Sequence, residues 1–259
     1  MAAELSLVGI TYYGEVHRID LASGASTLIG DSGFLPTTCM GKDASGRIYS
    51  MGHKFGEPTY SYSLFSIDPA TGAGTLEAAL APISNYSGMA FMPDGVLMAV
   101  RQSVAGDSPR DLYRVDPAAG THTLIGSTGA QLWSLAASSE GRLYSYEGLW
   151  WDTSGRGLVE INPLTGVATD VNGSAGATES ITAMAFSPGG ELYALECAPN
   201  SYPETTALYS IDTATGATTL LWRIPMEEVF YGFEFVPEPA GWTAVMLALG
   251  CLARRRRIR

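Results

Sequence analysis

Lysine is nearly absent from this sequence of 259 residues, since Lys42 and Lys54 are the only two. Arginine is scarce as well in most of the chain, because five of the 15 basic residues lie at positions 254–257 and 259. Residues 1–236 therefore carry 25 acidic and 10 basic side chains, a formal net charge of −15. A chain this acidic has no basic stripe to replace the counterions of phosphate groups, which excludes nucleic acid as a partner.

Cysteine and histidine are also scarce, with three of each. Cys251 lies in an apolar tail, and the repeats described below place Cys39 and Cys197 in separate units, so we predict no disulfide framework. The histidines at 17, 53 and 122 are too scattered for a zinc site or a Ser-His-Asp triad. With no phosphate-binding loop, EF-hand loop or G-x-S-x-G motif either, the sequence predicts no catalytic residue, metal site or cofactor.

Short β-prone runs, by contrast, recur throughout the chain with a period of 46–50 residues. The five copies read VHRIDLASGASTLIG, LFSIDPATGAGTLEA, LYRVDPAAGTHTLIG, LVEINPLTGVATDVN and LYSIDTATGATTLLW. Each is typical of a β-hairpin, and an acidic or amide residue opens each turn: Asp20, Asp68, Asp116, Asn162 and Asp212. Metal ligation is the alternative for these residues, but one carboxylate per repeat coordinates an ion poorly. His17 aligns with Phe65, Tyr113 and Tyr209 of the other copies, which predicts a core position.

A second unit precedes most of the hairpins, as in GMAFMPDGVLMAV (88–100) and AMAFSPGGELYAL (183–195). Each repeat then contains four strands, which we call a, b, c and d, and four strands in about 48 residues match one blade of a β-propeller. The N terminus lacks a strand a, and YGFEFV (231–236) supplies a single one. We therefore predict an all-β, five-bladed β-propeller over residues 1–236, whose ring is closed by the N- and C-terminal strands.

The LYxIDPATG repeats resemble those of a broad group of bacterial propellers related to the NHL and lactonase types. This resemblance implies the fold over residues 5–236 and says little about function.

The predicted b–c loops differ from one another in length and sequence, whereas the a–b and c–d turns are short and uniform. Variable loops on a rigid scaffold commonly carry binding residues. The b–c loops are rich in aromatic side chains, which pack well on the apolar faces of sugar rings. The candidate ligand-binding residues are Tyr12, Tyr13, Tyr60, Tyr62, Trp150, Trp151, Asp152 and Tyr202. The leading hypothesis is a non-catalytic module that binds polysaccharide.

Two other functions remain open at this point. A glycan hydrolase or lyase needs two carboxylates that meet at the mouth of the central channel, and Glu147 and Glu196 follow equivalent strands. A purely structural matrix protein would instead use the aromatic residues only to pack its loops.

Residues 237–259 have a different character from the rest of the chain. Pro237, Glu238 and Pro239 are followed by 14 mostly apolar residues and then by a basic cluster of Arg254, Arg255, Arg256 and Arg257. This order resembles the PEP-CTERM sorting signal, which combines a Pro-Glu-Pro motif, a hydrophobic helix and terminal arginines. The resemblance implies processing by an exosortase in a Gram-negative bacterium that makes exopolysaccharide.

A helix of 14 residues is about 21 Å long, shorter than the roughly 30 Å hydrocarbon core of a bilayer. We therefore expect a short C-terminal hydrophobic helix that enters the membrane only transiently, with the arginines in the cytoplasm and the propeller exported. An ordinary membrane anchor is the alternative, but it does not explain the Pro-Glu-Pro motif. Because export requires a leader and Glu4 does not suit one, we expect a signal peptide upstream of this sequence.

Overall fold

The computed structural model describes residues 5–56, 62–80, 86–102, 109–149, 152–173, 177, 179–198, 205–225 and 228–237. Within these residues, twenty strands form five antiparallel sheets of four strands each. This is the all-β architecture that the repeat period predicts.

Each sheet is one blade, and four of the five are built from consecutive strands. Blade 1 contains β1 (Leu5–Thr11), β2 (Glu15–Ile19), β3 (Ser26–Asp31) and the last strand, β20 (Phe230–Pro237). Blade 2 contains β4 (Met40–Lys42), β5 (Ile48–Gly52), β6 (Ser63–Ile67) and β7 (Gly74–Ala79). Blade 3 contains β8 (Tyr86–Phe91), β9 (Leu97–Gln102), β10 (Arg110–Asp116) and β11 (Thr121–Ser127). Blade 4 contains β12 (Ala136–Ala137), β13 (Leu143–Leu149), β14 (Asp152–Ile161) and β15 (Ala168–Asp170), and blade 5 contains β16 (Ile181–Phe186), β17 (Leu192–Ala198), β18 (Thr205–Ile211) and β19 (Thr218–Pro225).

The blades form a closed ring around the innermost strands. Strands β20, β4, β8, β12 and β16 contact one another in this order, and β16 contacts β20 again. Five clusters of buried apolar side chains fill the five spaces between neighbouring blades. The molecule is therefore a five-bladed propeller, as predicted, and its core is divided equally among the blade interfaces.

The two ends of the chain close the ring within blade 1. Strand β20 pairs with β1 in antiparallel register, from Leu5 opposite Pro237 to Ile10 opposite Gly232. The predicted closure is confirmed, and the sheet continues one residue past the expected boundary, to Pro237.

The turn between the third and fourth strand of each blade is fixed by its acidic or amide residue. In blade 2, the Ala70 N–H donates to Asp68 Oδ1 at 2.9 Å, and Gly72 takes a left-handed conformation with φ +75°. The corresponding side chains of Asp20, Asp116, Asn162 and Asp212 accept backbone N–H groups in the same way. The bond from the Ala70 N–H stabilises the charged carboxylate of Asp68 and holds the pKa of that residue below its usual value. The predicted turn-forming role is confirmed.

In four of the five blades, a Cβ on the glycine that ends this turn would meet the outer strand of the preceding blade, and in blade 5 it would meet Asn172 just after that strand. A Cβ on Gly72 would lie 2.8 Å from backbone atoms of Gly30, and one on Gly166 would lie 2.7 Å from the carbonyl oxygen of Gly126. A Cβ on Gly24 would meet the Trp222 ring, because Trp222 occupies the position in blade 5 that Gly30 and Gly126 occupy in blades 1 and 3. The repeat thus encodes a contact between blades as well as a turn.

The connections between strands define two faces of the ring. The upper face is the one that carries the turns between the second and third strands of each blade. It also carries the connections between blades. The lower face carries the short turns at the opposite ends of the strands. The described residues include no helix that could cross a membrane, and the predicted C-terminal helix lies outside them.

Candidate functional site

The first turn on the upper face exposes two tyrosines side by side. Strand β1 ends at Thr11 and β2 begins at Glu15, so this b–c connection is a tight β-turn. Tyr12 and Tyr13 occupy its two central positions and are 41% and 67% exposed. The turn already fixes the backbone of these two residues, so little backbone entropy is lost when a ligand binds to their rings.

Tyr231 extends this aromatic surface from the neighbouring strand. The ring centroids of Tyr12 and Tyr13 are 5.5 Å apart at nearly a right angle, and those of Tyr12 and Tyr231 are 5.7 Å apart. We call Tyr12, Tyr13 and Tyr231 the tyrosine patch. Because Tyr231 belongs to β20, the last strand of the fold supplies part of the surface that the first turn begins.

The backbone beneath the tyrosine patch is held rigidly. The Gly14 N–H donates to the Thr11 carbonyl at 3.1 Å, the Ser32 N–H donates to the Gly14 carbonyl at 2.9 Å, and the Thr37 N–H donates to the Tyr12 carbonyl at 3.0 Å. Gly14 has φ +86°, and a Cβ there would lie 2.2 Å from a carbonyl oxygen. Only glycine fits at this position, so the turn geometry is fixed by the sequence.

Of the other predicted ligand-binding residues, Tyr62 is corrected by the structure. It is 3% exposed and packs between the rings of His53 and Tyr86, so it belongs to the interface of blades 2 and 3 and not to the surface. Tyr60, Trp150, Trp151 and Tyr202 lie outside the described residues.

The strands on either side of the two candidate tryptophans, β13 and β14, form a hairpin. Leu149 at the end of β13 pairs with Asp152 at the start of β14. Strand β14 has ten residues, so the paired strands of blade 4 extend into the segment in which the variable loop was predicted. Asp152 begins β14 at the tip of this hairpin.

Glu147 and Glu196, the candidate catalytic pair, are each engaged within their own blade. Glu147 Oε2 lies 2.5 Å from Arg156 Nε, and its Oε1 accepts the Gln131 N–H at 3.1 Å. Glu196 Oε2 lies 2.8 Å from Arg223 Nη2 and accepts the Tyr209 hydroxyl at 2.9 Å. A carboxylate whose oxygens are occupied by arginine and other donors is poorly suited to proton transfer.

The axial channel is too small for a sugar. Its upper part holds about 10 Å³ between Cys39, Ser87 and Ser134, and its lower part holds about 90 Å³ beside Lys42 and Glu234. Pockets for small-molecule ligands usually measure about 300–1,000 Å³. These two cavities of the described residues are therefore too small to hold a sugar.

One ion pair lies in the lower part of the channel. Lys42 Nζ is 3.4 Å from Glu234 Oε2 and donates to the Phe235 carbonyl at 2.8 Å. Burial raises the pKa of Glu234 to about 7, against the opposing charge of Lys42. One of the only two lysines thus joins the inner strands of blades 1 and 2.

Cys39 also lies against the channel, and its thiol is free and buried. Burial raises the pKa of this thiol to about 12, so it stays protonated and unreactive. The side chain of Cys197 is not among those described.

Sequence reasoning missed a cluster of three ionisable side chains beside the tyrosine patch. Glu15, His17 and Glu228 each offer one ligand atom, and these atoms all lie within 4.8 Å of one another. His17 occupies a core position, as predicted, and is 7% exposed. Neither of its ring nitrogens has a hydrogen-bond partner, a condition that costs about 1–3 kcal/mol for a buried polar atom.

Comparison with known proteins identifies the fold. The sequence matches no family model and no curated protein. Among solved structures, a chain of a nidogen/laminin complex is similar over 90% of this chain and 98% of its own, with 12% identity and a TM-score of 0.52. A putative 6-phosphogluconolactonase from Bacteroides uniformis matches 88% of this chain and 84% of its own, with 13% identity and a TM-score of 0.50.

TolB from Acinetobacter baumannii is also similar, with 10% identity and a TM-score of 0.50 over 85% of this chain and 52% of its own. The names of these three proteins indicate that they have different roles. Identities this low show a common fold alone.

Proposed function

We propose that this protein is an exported, non-catalytic propeller that binds polysaccharide through its upper face. The observation that carries the proposal is the tyrosine patch, where Tyr12 and Tyr13 are exposed on a turn whose backbone is fixed by Gly14. Aromatic rings cover the apolar C–H faces of sugars, and the phenol hydroxyl at the ring edge bonds to sugar hydroxyls. A rigid platform of this kind suits a long, repetitive ligand that lies across it.

The acidic charge of residues 1–236 is consistent with this ligand class. A neutral polysaccharide has no charge that an acidic surface would repel, whereas nucleic acid and anionic lipid surfaces are disfavoured. Stacking also tolerates variation in the sugar sequence, because it uses the ring face and not a single hydroxyl.

Catalysis on a glycan is the less favoured function. The two carboxylates at equivalent strand positions, Glu147 and Glu196, are bound to Arg156 and Arg223. An acid catalyst in a glycosidase has to donate a proton to the leaving group, whereas these two carboxylates are already engaged by a guanidinium.

The binding role predicts a specific loss on the upper face. The double variant Tyr12→Ala/Tyr13→Ala should bind exopolysaccharide fragments at least about tenfold more weakly than the wild type, since two exposed aromatic anchors are removed. Binding is measured with the full chain on a glycan array, followed by titration of each positive glycan. Leu164→Ala is the matched control, because Leu164 is 85% exposed on the lower face.

Two results would contradict the proposal. Unchanged binding by the double variant would place the glycan elsewhere on the ring. A wild-type protein that binds no glycan on the array would favour a structural matrix protein.

We also propose that exosortase processes the tail that follows the propeller. The support is the sequence pattern of Pro237, Glu238, Pro239 and the arginines at 254–257. Pro237 is the last residue of β20 and is exposed, and the rest of the tail lies outside the described residues. An extended Pro-Glu-Pro segment directly after the last strand would be accessible to a membrane-embedded transpeptidase.

Mass spectrometry of the protein secreted by a Gram-negative host with an exosortase tests this processing. We expect the secreted form to lack the apolar segment and the arginines, and the variant Glu238→Ala to retain them in the membrane fraction. A secreted wild-type protein that still ends at Arg259 would refute processing.

A further inference from the structure

A histidine stands in blade 1 where three other blades have an aromatic ring. Phe65, Tyr113 and Tyr209 occupy the equivalent position of the repeat, and each is buried. His17 packs in the same way, with its ring edge-on to Phe230 at a centroid distance of 5.4 Å. An aromatic hydrocarbon would fill this space without burying two ring nitrogens, so packing alone does not account for the histidine.

Two carboxylates approach this histidine from separate parts of the chain. Glu15 precedes His17 by two residues on β2, so both side chains point to the same side of the strand. Glu228 reaches the cluster from the connection between β19 and β20, where its backbone carbonyl accepts the Thr206 hydroxyl at 3.4 Å. The described residues form no ion pair with Glu15 or Glu228, so both carboxylates keep free lone pairs.

We propose that Glu15, His17 and Glu228 bind one divalent transition-metal ion, with zinc as the best fit. A zinc ion takes imidazole nitrogen and carboxylate oxygen at about 2.0–2.2 Å. The ligand atoms of a tetrahedral zinc ion with bonds of this length lie about 3.4 Å from one another. The three ligand atoms are already within 4.8 Å of one another. A shift of about 1 Å by the two flexible glutamate side chains brings them to the distances that a zinc ion requires.

The ligand set distinguishes zinc from calcium. Calcium prefers six to eight oxygen ligands, whereas this cluster offers two carboxylates and a nitrogen. Imidazole with carboxylate suits zinc and neighbouring transition metals. Three protein ligands leave one position for water or for a ligand group on the upper face.

The burial of His17 favours metal binding over a simple ion pair. Desolvation lowers the pKa of the imidazole, although the charges of Glu228 and Glu15 oppose this. A neutral imidazole is the form that binds a metal ion without first losing a proton. Because Glu15 and Glu228 are half-buried at the upper face, an ion can reach the nitrogen from solvent.

Metal titration of the full chain, stripped of metal with EDTA, tests the proposal. Calorimetric titration with zinc chloride should give one site per chain, and cobalt chloride should give a visible absorption typical of nitrogen and oxygen ligands. His17→Phe should reduce zinc affinity by at least about 100-fold. Phenylalanine is the residue of blade 2 at this position, so the variant should fold, which circular dichroism checks.

A second substitution and a control make the result specific. Glu228→Gln keeps the size of the side chain and removes a charged ligand, so it should weaken zinc binding by about tenfold or more. His122→Phe removes a histidine that lies in blade 3 against Tyr113, and it should leave the affinity unchanged. Zinc should raise the melting temperature of the wild type and of His122→Phe, but not that of His17→Phe.

The proposal is overturned if the metal-free wild type binds no zinc, or if His17→Phe and Glu228→Gln bind it as tightly as the wild type does. No glycan is present in the titration, so its failure would leave the polysaccharide-binding proposal unaffected.

Discussion

Phe235→Ala is expected to lower the free energy of unfolding by about 3–5 kcal/mol, since it removes a large side chain from a closed core. Phe235 is 2% exposed and lies opposite Leu7, where the last strand joins the first. Its ring is 5.1 Å from that of Tyr193 in the neighbouring blade. The substitution therefore weakens both the closing sheet and the interface of blades 5 and 1.

Urea unfolding of the full chain, followed by tryptophan fluorescence and circular dichroism, measures this loss. Leu164→Ala serves as the control, because its exposed side chain should change stability by no more than about 0.5 kcal/mol. If Phe235→Ala costs less than about 1 kcal/mol, the closure between β1 and β20 does not contribute to the stability of the ring.

Gly72→Ala is expected to cost about 2–4 kcal/mol, while Gly95→Ala costs only about 1 kcal/mol. Both glycines end a turn on the lower face and have similar backbone angles, with φ +75° and +85°. They differ in their surroundings, because a Cβ on Gly72 would overlap the backbone of Gly30, whereas one on Gly95 would meet nothing within 4 Å. The difference between the two variants isolates the contact between blades from the strain of the turn.

The same urea titration measures both variants. Equal losses would show that the glycine is required only by the backbone conformation. A larger loss for Gly72→Ala would show that the repeat selects glycine for packing between blades as well.

The sequence predicts the ring well because every element of the repeat is local. Residues such as Asp68 and Gly72 form their turn within five positions, so the same pattern identifies the turn in each copy. The closure was also predictable, because one strand was missing at the start of the first repeat and one was left over after the last.

Contacts that join distant segments were not predictable in the same way. Tyr62 was expected at the surface because it lies in a variable loop, yet the ring of Tyr86 from the next blade covers it. Glu147 and Glu196 follow equivalent strands in the sequence, but Glu147 pairs with Arg156 on the adjacent strand and Glu196 pairs with Arg223 two strands away.

The acid–histidine cluster shows the same limit. Glu15 and His17 have the i, i+2 spacing that places two ligands on one side of a strand, and this signal could have been noticed. Glu228 lies near the other end of the chain, and only the closure of the ring brings it to His17.

The pairing of β1 with β20 also decides where the two chain ends emerge. Leu5 and Pro237 lie opposite each other at the lower rim, whereas Thr11 and Phe230 lie opposite each other at the upper rim. The first residue of β1 and the last residue of β20 therefore lie on the side of the ring remote from Tyr12 and Tyr13. If the C-terminal extension is held by a membrane, as the proposed processing requires, Tyr12 and Tyr13 lie on the side of the ring that faces away from that membrane.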